Sequence, residues 1–267
     1  MNNHFYNQPL IQTLLHKPLR FLFVYFLVFT LSYAIFVYFD FIPDSTGAAA
    51  PVSDLMLLGI ISGFLQLLGY ILYIRNPDID PNPVTWFMFA YGTGILAILE
   101  WDASATWPEL FLPITCAVFS IYVSYHCWRK SHLKDPSHWW PRDWWPENRS
   151  ERIAFISDIF ITIGYISAWV LASLAFLSEE YRVLAVLMFL FLSNVSTFPS
   201  FYPLLLETHL HPEREDSMPW IIWTTAYAVL AYVTYETHGA FFQPLMFYPI
   251  SNVFLHGLMA WLARKRP

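Results

Sequence analysis

The chain is dominated by long apolar segments separated by short polar loops. A helix needs roughly 20 mostly apolar residues to cross the hydrocarbon core of a bilayer. Eight segments approach or exceed this length, at 21–39, 54–75, 83–100, 108–129, 153–177, 182–206, 218–236 and 244–264. Their apolar residues are continuous rather than alternating, which excludes β-barrel strands. Charged residues make up only 13% of the chain, against about a quarter in soluble domains. The sequence therefore predicts an all-α polytopic membrane protein with eight transmembrane helices.

The basic residues predict how these helices are oriented. Lys17 and Arg20 precede the first segment, the loop 129–152 holds six Lys or Arg residues, and the chain ends on Arg264–Arg266. Loops rich in Lys and Arg stay in the cytoplasm. We therefore expect a multi-pass protein of a bacterial inner membrane with both termini cytoplasmic. The segment 21–39 is longer than the apolar region of a signal peptide, so we expect it to be an uncleaved first helix.

The second half of the chain repeats part of the first. A shift of 136 residues places Glu100 on Glu236 and needs no gap between residues 83 and 130. The same shift superimposes further identical residues, namely Pro83 and Pro219, Ala90 and Ala226, Tyr91 and Tyr227, Pro108 and Pro244, and Pro113 and Pro249. Prolines and an acid at fixed intervals do not follow from bulk hydrophobicity. This pattern indicates an internal duplication.

The duplication divides the chain into four parts. Residues 54–130 and 182–267 are predicted to be two copies of a three-helix unit. Residues 1–53 form an N-terminal tail with the first helix, and residues 131–181 form a Trp-rich cytoplasmic loop with a connecting helix. Four spans separate equivalent helices, so both copies cross the membrane in the same direction. Transporters are often built from such repeats, with the substrate site near the midplane between them.

The segment Gly69–Arg75, followed by Asn-Pro-Val-Thr-Trp at 82–86, resembles a helix exit and the next helix entry of the PQ-loop superfamily. That superfamily includes the SWEET sugar transporters and the PnuC vitamin transporters. Its Pro-Gln dipeptide is absent from both copies here, where Gln66 and Tyr202 coincide at the 136-residue shift. The resemblance implies two parallel bundles that expose a central site to each side of the membrane in turn.

Polar side chains inside apolar helices are costly, so they are the candidate functional residues. His256 lies about 12 Å inside the last helix, counted back from Arg264. It could bind substrate or relay protons, or simply pack against a carbonyl. Asp158 is expected near the cytoplasmic interface, where it could also cap the helix. The predicted substrate-binding residues are Gln66, Tyr91, Asn194, Tyr202, Tyr227, Asn252 and His256.

A second set of residues is predicted to take part in gating. Prolines within membrane helices remove a backbone donor and produce kinks, which serve packing as well as motion. Glu100 and Glu236 are expected at the outer ends of equivalent helices, either as a pair at an extracellular mouth or as solvated helix ends. The gating candidates are Pro113, Pro199, Pro249, Glu100 and Glu236.

These features favour a transporter of a small polar or aromatic molecule that works by alternating access. The alternatives are an integral membrane enzyme acting on a lipid or isoprenoid, with His256, Asp158 or the loop 209–216 as its polar centre, and a non-transporting receptor or scaffold. We expect no cofactor, no metal ion, no catalytic residue and no nucleic-acid partner. The expected partners are the lipid bilayer and a small-molecule substrate, and homo-oligomerisation is left open.

Overall fold

The apolar segments form helices throughout the described part of the chain. A computed structural model describes residues 52–75, 83–134, 146, 148–241 and 243–264. The helices are α1 (Val52–Arg75), α2 (Pro83–Asp102), α3 (Trp107–Lys134), α4 (Arg149–Ser173), α5 (Glu179–Leu210), α6 (Ser217–His238) and α7 (Phe247–Leu262). Short 3₁₀ turns at Pro212–Arg214 and Pro244–Met246 precede α6 and α7. The predicted span at 21–39 lies outside the described residues.

The described helices make this an all-α polytopic membrane protein, but they do not reproduce the count of eight spans. Six of the seven described helices are long and apolar enough to cross a membrane. The exception is α6, whose 22 residues include Thr, Tyr and Trp in place of aliphatic side chains. At about 1.5 Å per residue α6 is still roughly 33 Å long, comparable with the hydrocarbon core. The apolar criterion therefore fails for α6 because of its composition rather than its length.

Polar residues at the helix ends determine where helices begin and end. The Asn148 side chain accepts a hydrogen bond from the Ser150 backbone N–H, and α4 therefore begins at Arg149 rather than at the predicted residue 153. The Asp216 side chain accepts from the Met218 N–H in the same way and starts α6. Gly239 ends α6 in the left-handed conformation, with φ of 68°, which glycine adopts without a steric penalty.

The helices pack in two groups joined by a connecting helix. In the first group α1 and α2 both pack against α3, and in the second α5 and α6 both pack against α7. Across the seam α1 packs against α6 and α2 packs against α5. The connecting helix α4 packs against α5 and, less extensively, against α2. Only 17% of the most apolar window of α4 is buried, so α4 lies at the periphery.

Contacts at the helix ends give the direction of α6. The ring of Tyr73, near the end of α1, lies 6.2 Å from that of Trp220, near the start of α6. His238, the last residue of α6, lies 2.9 Å from Glu109, near the start of α3. Thus α6 is antiparallel to α1 and α3 over its whole length. We call the end where α1, α3, α5 and α7 finish the basic end, and the opposite one the acidic end.

Candidate functional site

A cavity lies at the centre of the seam, and all seven described helices contribute to its wall. The space open to the centres of water molecules is about 40 Å³, enough for a few waters but not for a sugar. Asp158 lies nine residues after the start of α4, and His256 lies six residues before the end of α7. The start of α4 and the end of α7 both lie at the basic end, so Asp158 and His256 are about 9–14 Å from that end. Asp158 and His256 therefore lie in the half of the bundle next to the basic end.

Four of the seven predicted substrate-binding residues line this cavity. They are Gln66, Tyr227, Asn252 and His256. The other three do not line it. The Tyr91 hydroxyl lies 2.7 Å from the Thr162 hydroxyl on α4. The amide of Asn194 donates to the Leu190 carbonyl oxygen within the same helix, at 2.9 Å, and Tyr202 is buried elsewhere in α5.

His256 lies among aromatic rings. Its ring centroid is 4.8 Å from that of Tyr227, 5.1 Å from Phe201 and 5.9 Å from Trp223. Nδ1 lies 2.9 Å from the backbone oxygen of Asn252. Because a carbonyl only accepts, Nδ1 carries the proton in the neutral ring, and Nε2 is left as an acceptor. None of the described residues donates a hydrogen bond to Nε2.

Two amides place further acceptors at the cavity. The Asn252 Nδ2 atom donates to the Tyr248 carbonyl oxygen at 2.9 Å, so the Asn252 Oδ1 atom points away from that carbonyl. The Gln66 Nε2 atom lies 3.4 Å from the Tyr70 hydroxyl oxygen, and Gln66 Oε1 is buried without a partner among the described residues. A buried polar atom without a partner is costly and needs an explanation, such as a water molecule or a ligand.

Asp158 is the functional candidate that the sequence placed too close to the interface. It is 3% exposed and lines the cavity. The Ser196 hydroxyl on α5 lies 2.5 Å from its Oδ1. On α2, a Cβ added to Gly92 would lie 3.0 Å from its Oδ2, so the glycine keeps space open beside the carboxyl group. Within the described residues, no Lys, Arg or His pairs with Asp158.

Tryptophan and tyrosine side chains form one wall of the cavity. Trp223 on α6 lies 5.1 Å from Tyr70 and 5.9 Å from Trp86, measured between ring centroids. Its indole N–H donates to the Gln66 carbonyl oxygen at 3.0 Å, which joins α6 to α1. Trp220 and Trp223 are not among the residues predicted from the sequence. Their spacing of three residues on one helix face was the available signal.

Glu215 closes the basic end of the seam above this wall. It accepts a hydrogen bond from the Trp220 indole at 3.0 Å and one from the Tyr73 hydroxyl at 3.4 Å. Burial raises the pKa of Glu215 to about 7, and the nearby Glu207 and Asp216 carboxylates add to that rise. The two donors act against it because they favour the ionised form. Glu215 thus connects the end of α1 to the start of α6.

Two ionic contacts cross the acidic end. Arg182 on α5 binds both carboxylate oxygens of Asp102 on α2, at 2.8 and 2.7 Å. Glu109 on α3 lies 2.9 Å from His238 on α6. Glu109 also accepts hydrogen bonds from the backbone and hydroxyl of Thr106, which hold it at the start of its helix. Each contact joins one helix group to the other.

The predicted gating residues lie in different environments. Glu100 is 3% exposed, so the predicted solvated helix end is wrong for it, whereas Glu236 is half-buried. Pro113 and Pro199 lie inside α3 and α5 as expected. Pro249 is the third residue of α7, and the N–H groups of a first turn have no helical partners. Contrary to the prediction, Pro249 therefore does not interrupt the hydrogen bonds of its helix.

No protein-family model, curated protein or solved structure matches this chain.

Proposed function

We propose that this protein transports a small molecule by exposing the central cavity to each side of the membrane in turn. The observation that carries the proposal is the position of one central cavity between separate polar contacts at the two ends of the seam. Glu215 bridges the seam at the basic end, and the pairs Arg182–Asp102 and Glu109–His238 bridge it at the acidic end. Polar contacts of this kind can break at one end at a time when water enters that end, because water then solvates the separated groups that would be costly if left buried and unpaired.

The packing order supports an arrangement of two equivalent bundles. If α1 is exchanged with α5, α2 with α6 and α3 with α7, the main helix–helix contacts keep the same pattern. For example, the contact of α1 with α6 becomes the contact of α5 with α2. The shift of 136 residues also pairs Asp102 with His238. Each of these two residues ends the second helix of its bundle and binds a residue near the start of a helix in the other bundle. Rocking of two such bundles about their seam is a common route to alternating access.

The remaining topology follows from the same proposal. We propose that the segment 21–39 adds a crossing before α1, with both termini in the cytoplasm of a bacterial cell. The basic end then faces the cytoplasm, since Arg129, Arg149 and Arg152 lie there. The likeness of residues 69–86 to the PQ-loop superfamily supports this architecture, and small-molecule transport comes to this chain by that analogy.

Access to the cavity can be measured with a single cysteine. Thr197 lines the cavity, and the only two native cysteines, Cys116 and Cys127, can be replaced by serine. We expect a membrane-impermeant thiol reagent to modify Thr197→Cys when added to either side of sealed vesicles. Val118→Cys is the control, because Val118 is 55% exposed on the outer face of α3, where lipid excludes the reagent. Modification from one side only would contradict transport and favour an enzyme or a receptor.

Breaking the Arg182–Asp102 contact should increase access to the cavity from the acidic end. We expect Asp102→Asn to raise the rate of Thr197→Cys modification from the acidic end at least severalfold, because Arg182 loses its charged partner across the seam. Glu180→Gln is the matched control, since Glu180 is an exposed acid at the same end of α5. Equal rates in Asp102→Asn and the unmodified background would show that this contact does not close the cavity.

A further inference from the structure

The free hydrogen-bonding atoms of the cavity are mostly acceptors. The carboxylate of Asp158, the Oε1 of Gln66, the Oδ1 of Asn252 and the Nε2 of His256 belong to side chains that line it. Ser196 donates to Asp158 Oδ1, and none of the described residues donates to Asn252 Oδ1 or His256 Nε2. Gln66 Oε1 is fully buried without a partner among the described residues. A ligand that satisfied these atoms would have to donate hydrogen bonds.

The nitrogen groups of the same side chains each donate one hydrogen bond. The amides of Gln66 and Asn252 donate to the Tyr70 hydroxyl and the Tyr248 carbonyl, which leaves one further N–H on each amide. The Nδ1 of His256 donates to the Asn252 carbonyl, and the indole of Trp223 donates to the Gln66 carbonyl. Among the described residues, those that line the cavity include no Lys or Arg that would balance the charge of a carboxylate or phosphate ligand. The cavity is therefore poorly suited to anions.

The charge of the wall agrees with this preference. Asp158 is the one acid among the lining residues, and they include no Lys or Arg within the described chain. An unpaired carboxylate within a membrane bundle is expensive and is usually compensated by a cation or a proton. Gly92 leaves room beside Oδ2 for such a partner. Trp86, Trp223 and Tyr227 also line the cavity, and the faces of aromatic rings attract cations.

We propose that the cavity binds the ammonium group of an organic cation, with Asp158 as its counter-charge and Asn252 and His256 as acceptors for its N–H groups. This assignment rests on the proposed function, because it names the chemical class of the transported molecule. The cavity in this closed state accommodates the charged group, and the rest of the ligand occupies space that opens with the seam.

Methylammonium is the smallest probe of this chemistry, and methanol is its neutral counterpart of similar size. We expect methylammonium chloride to raise the unfolding temperature of the detergent-purified full-length protein in a saturable way, relative to sodium chloride at equal ionic strength. Methanol at the same concentrations should give no such rise. Tetramethylammonium keeps the charge but lacks N–H groups, so its apparent Kd should be at least several times higher.

Three variants assign the effect to Asp158. Asp158→Asn should raise the apparent Kd for methylammonium at least tenfold, since the amide keeps the size but loses the charge. Gly92→Ala keeps the carboxylate and narrows the space beside Oδ2, so it should weaken binding as well. Gly92→Ala also tests the assignment if the Asp158→Asn variant does not fold. Glu213→Gln removes an equal charge from an exposed loop and should leave the Kd unchanged.

The results separate this inference from the transport proposal. A lack of saturable stabilisation by methylammonium, an equal effect of methanol, or an unchanged Kd in both Asp158→Asn and Gly92→Ala would overturn the cation assignment. Modification of Thr197→Cys from both sides would then still support transport of another ligand class. Specific methylammonium binding together with one-sided modification would reject transport and leave a cation-binding membrane protein.

Discussion

Alanine in place of Gly69 is expected to lower the free energy of unfolding by about 1–3 kcal/mol, the usual cost of overpacking a well-packed core. Gly69 lies on α1, where the indole of Trp223 from α6 covers its Cα. An added Cβ would come within 2.6 Å of Trp223 Cδ1 and 2.7 Å of Cε2. The indole cannot simply rotate away, because its N–H is bonded to the Gln66 carbonyl oxygen. Helices α1 and α6 must therefore move apart at the seam.

The measurement is the midpoint of thermal unfolding of the full-length protein in detergent, which should fall by several degrees. Gly94→Ala is the matched control, since the nearest atom to its added Cβ is 3.9 Å away. That change should be neutral or slightly stabilising, because alanine favours helix more than glycine does. Equal midpoints for the two variants would contradict the close packing of α1 against α6.

A double-mutant cycle identifies the clash itself. Replacing Trp223 by leucine removes the ring that meets the new methyl group, so Gly69→Ala should cost less in the Trp223→Leu background than alone. Gly59→Ala tests a stiffer contact, because its added Cβ would meet the backbone of Pro108 on α3. Backbone atoms cannot change rotamer, so we expect Gly59→Ala to be at least as destabilising as Gly69→Ala.

Much of the helical architecture could be predicted because the length of an apolar run is set by the thickness of a bilayer. Helix ends were less predictable, since polar and basic residues continue a helix beyond its apolar part. The start of α4 shows the consequence. Arg149 and Arg152 extend it to the cap at Asn148, so Asp158 lies one turn farther from the start of the helix than the apolar pattern indicated.

Residues of the candidate site could be predicted only where their chemical type distinguishes them, because the sequence does not show how each helix is rotated. Gln66, Asn252 and His256 stand out because they are polar within apolar runs, and each lines the cavity. The aromatic wall gave no comparable signal, since aromatic residues make up 19% of the chain and occur on every helix face. Asn194 is as polar as Asn252, yet it bonds within α5 outside the cavity. Such differences depend on how each helix is rotated, which hydropathy does not record.

The largest expected effect of pH concerns Glu215, in the turn before α6. Its ordinary pKa of 4.5 applies in the unfolded chain, whereas burial raises the pKa to about 7 in the folded protein. Between these two values the folded state binds the proton more tightly than the unfolded state does. The stability from protonated Glu215 is therefore complete below about pH 4.5 and is lost as the pH rises towards 7, an effect on the order of 3 kcal/mol.

Glu215→Gln removes the titration and keeps an oxygen that can accept from Trp220 and Tyr73. The variant should therefore become more stable relative to the unmodified protein as the pH rises from 5 to 8. The measurement is the difference between the two unfolding midpoints at each pH, in which titrations common to both proteins cancel. Glu180→Gln is the control, because Glu180 is exposed at the opposite end of the bundle and should give a nearly constant difference. A constant difference for Glu215→Gln as well would mean that Glu215 is solvated and does not close the basic end. Alternating access would then need another contact there, since Tyr73 and Trp220 would be joined only by their ring packing.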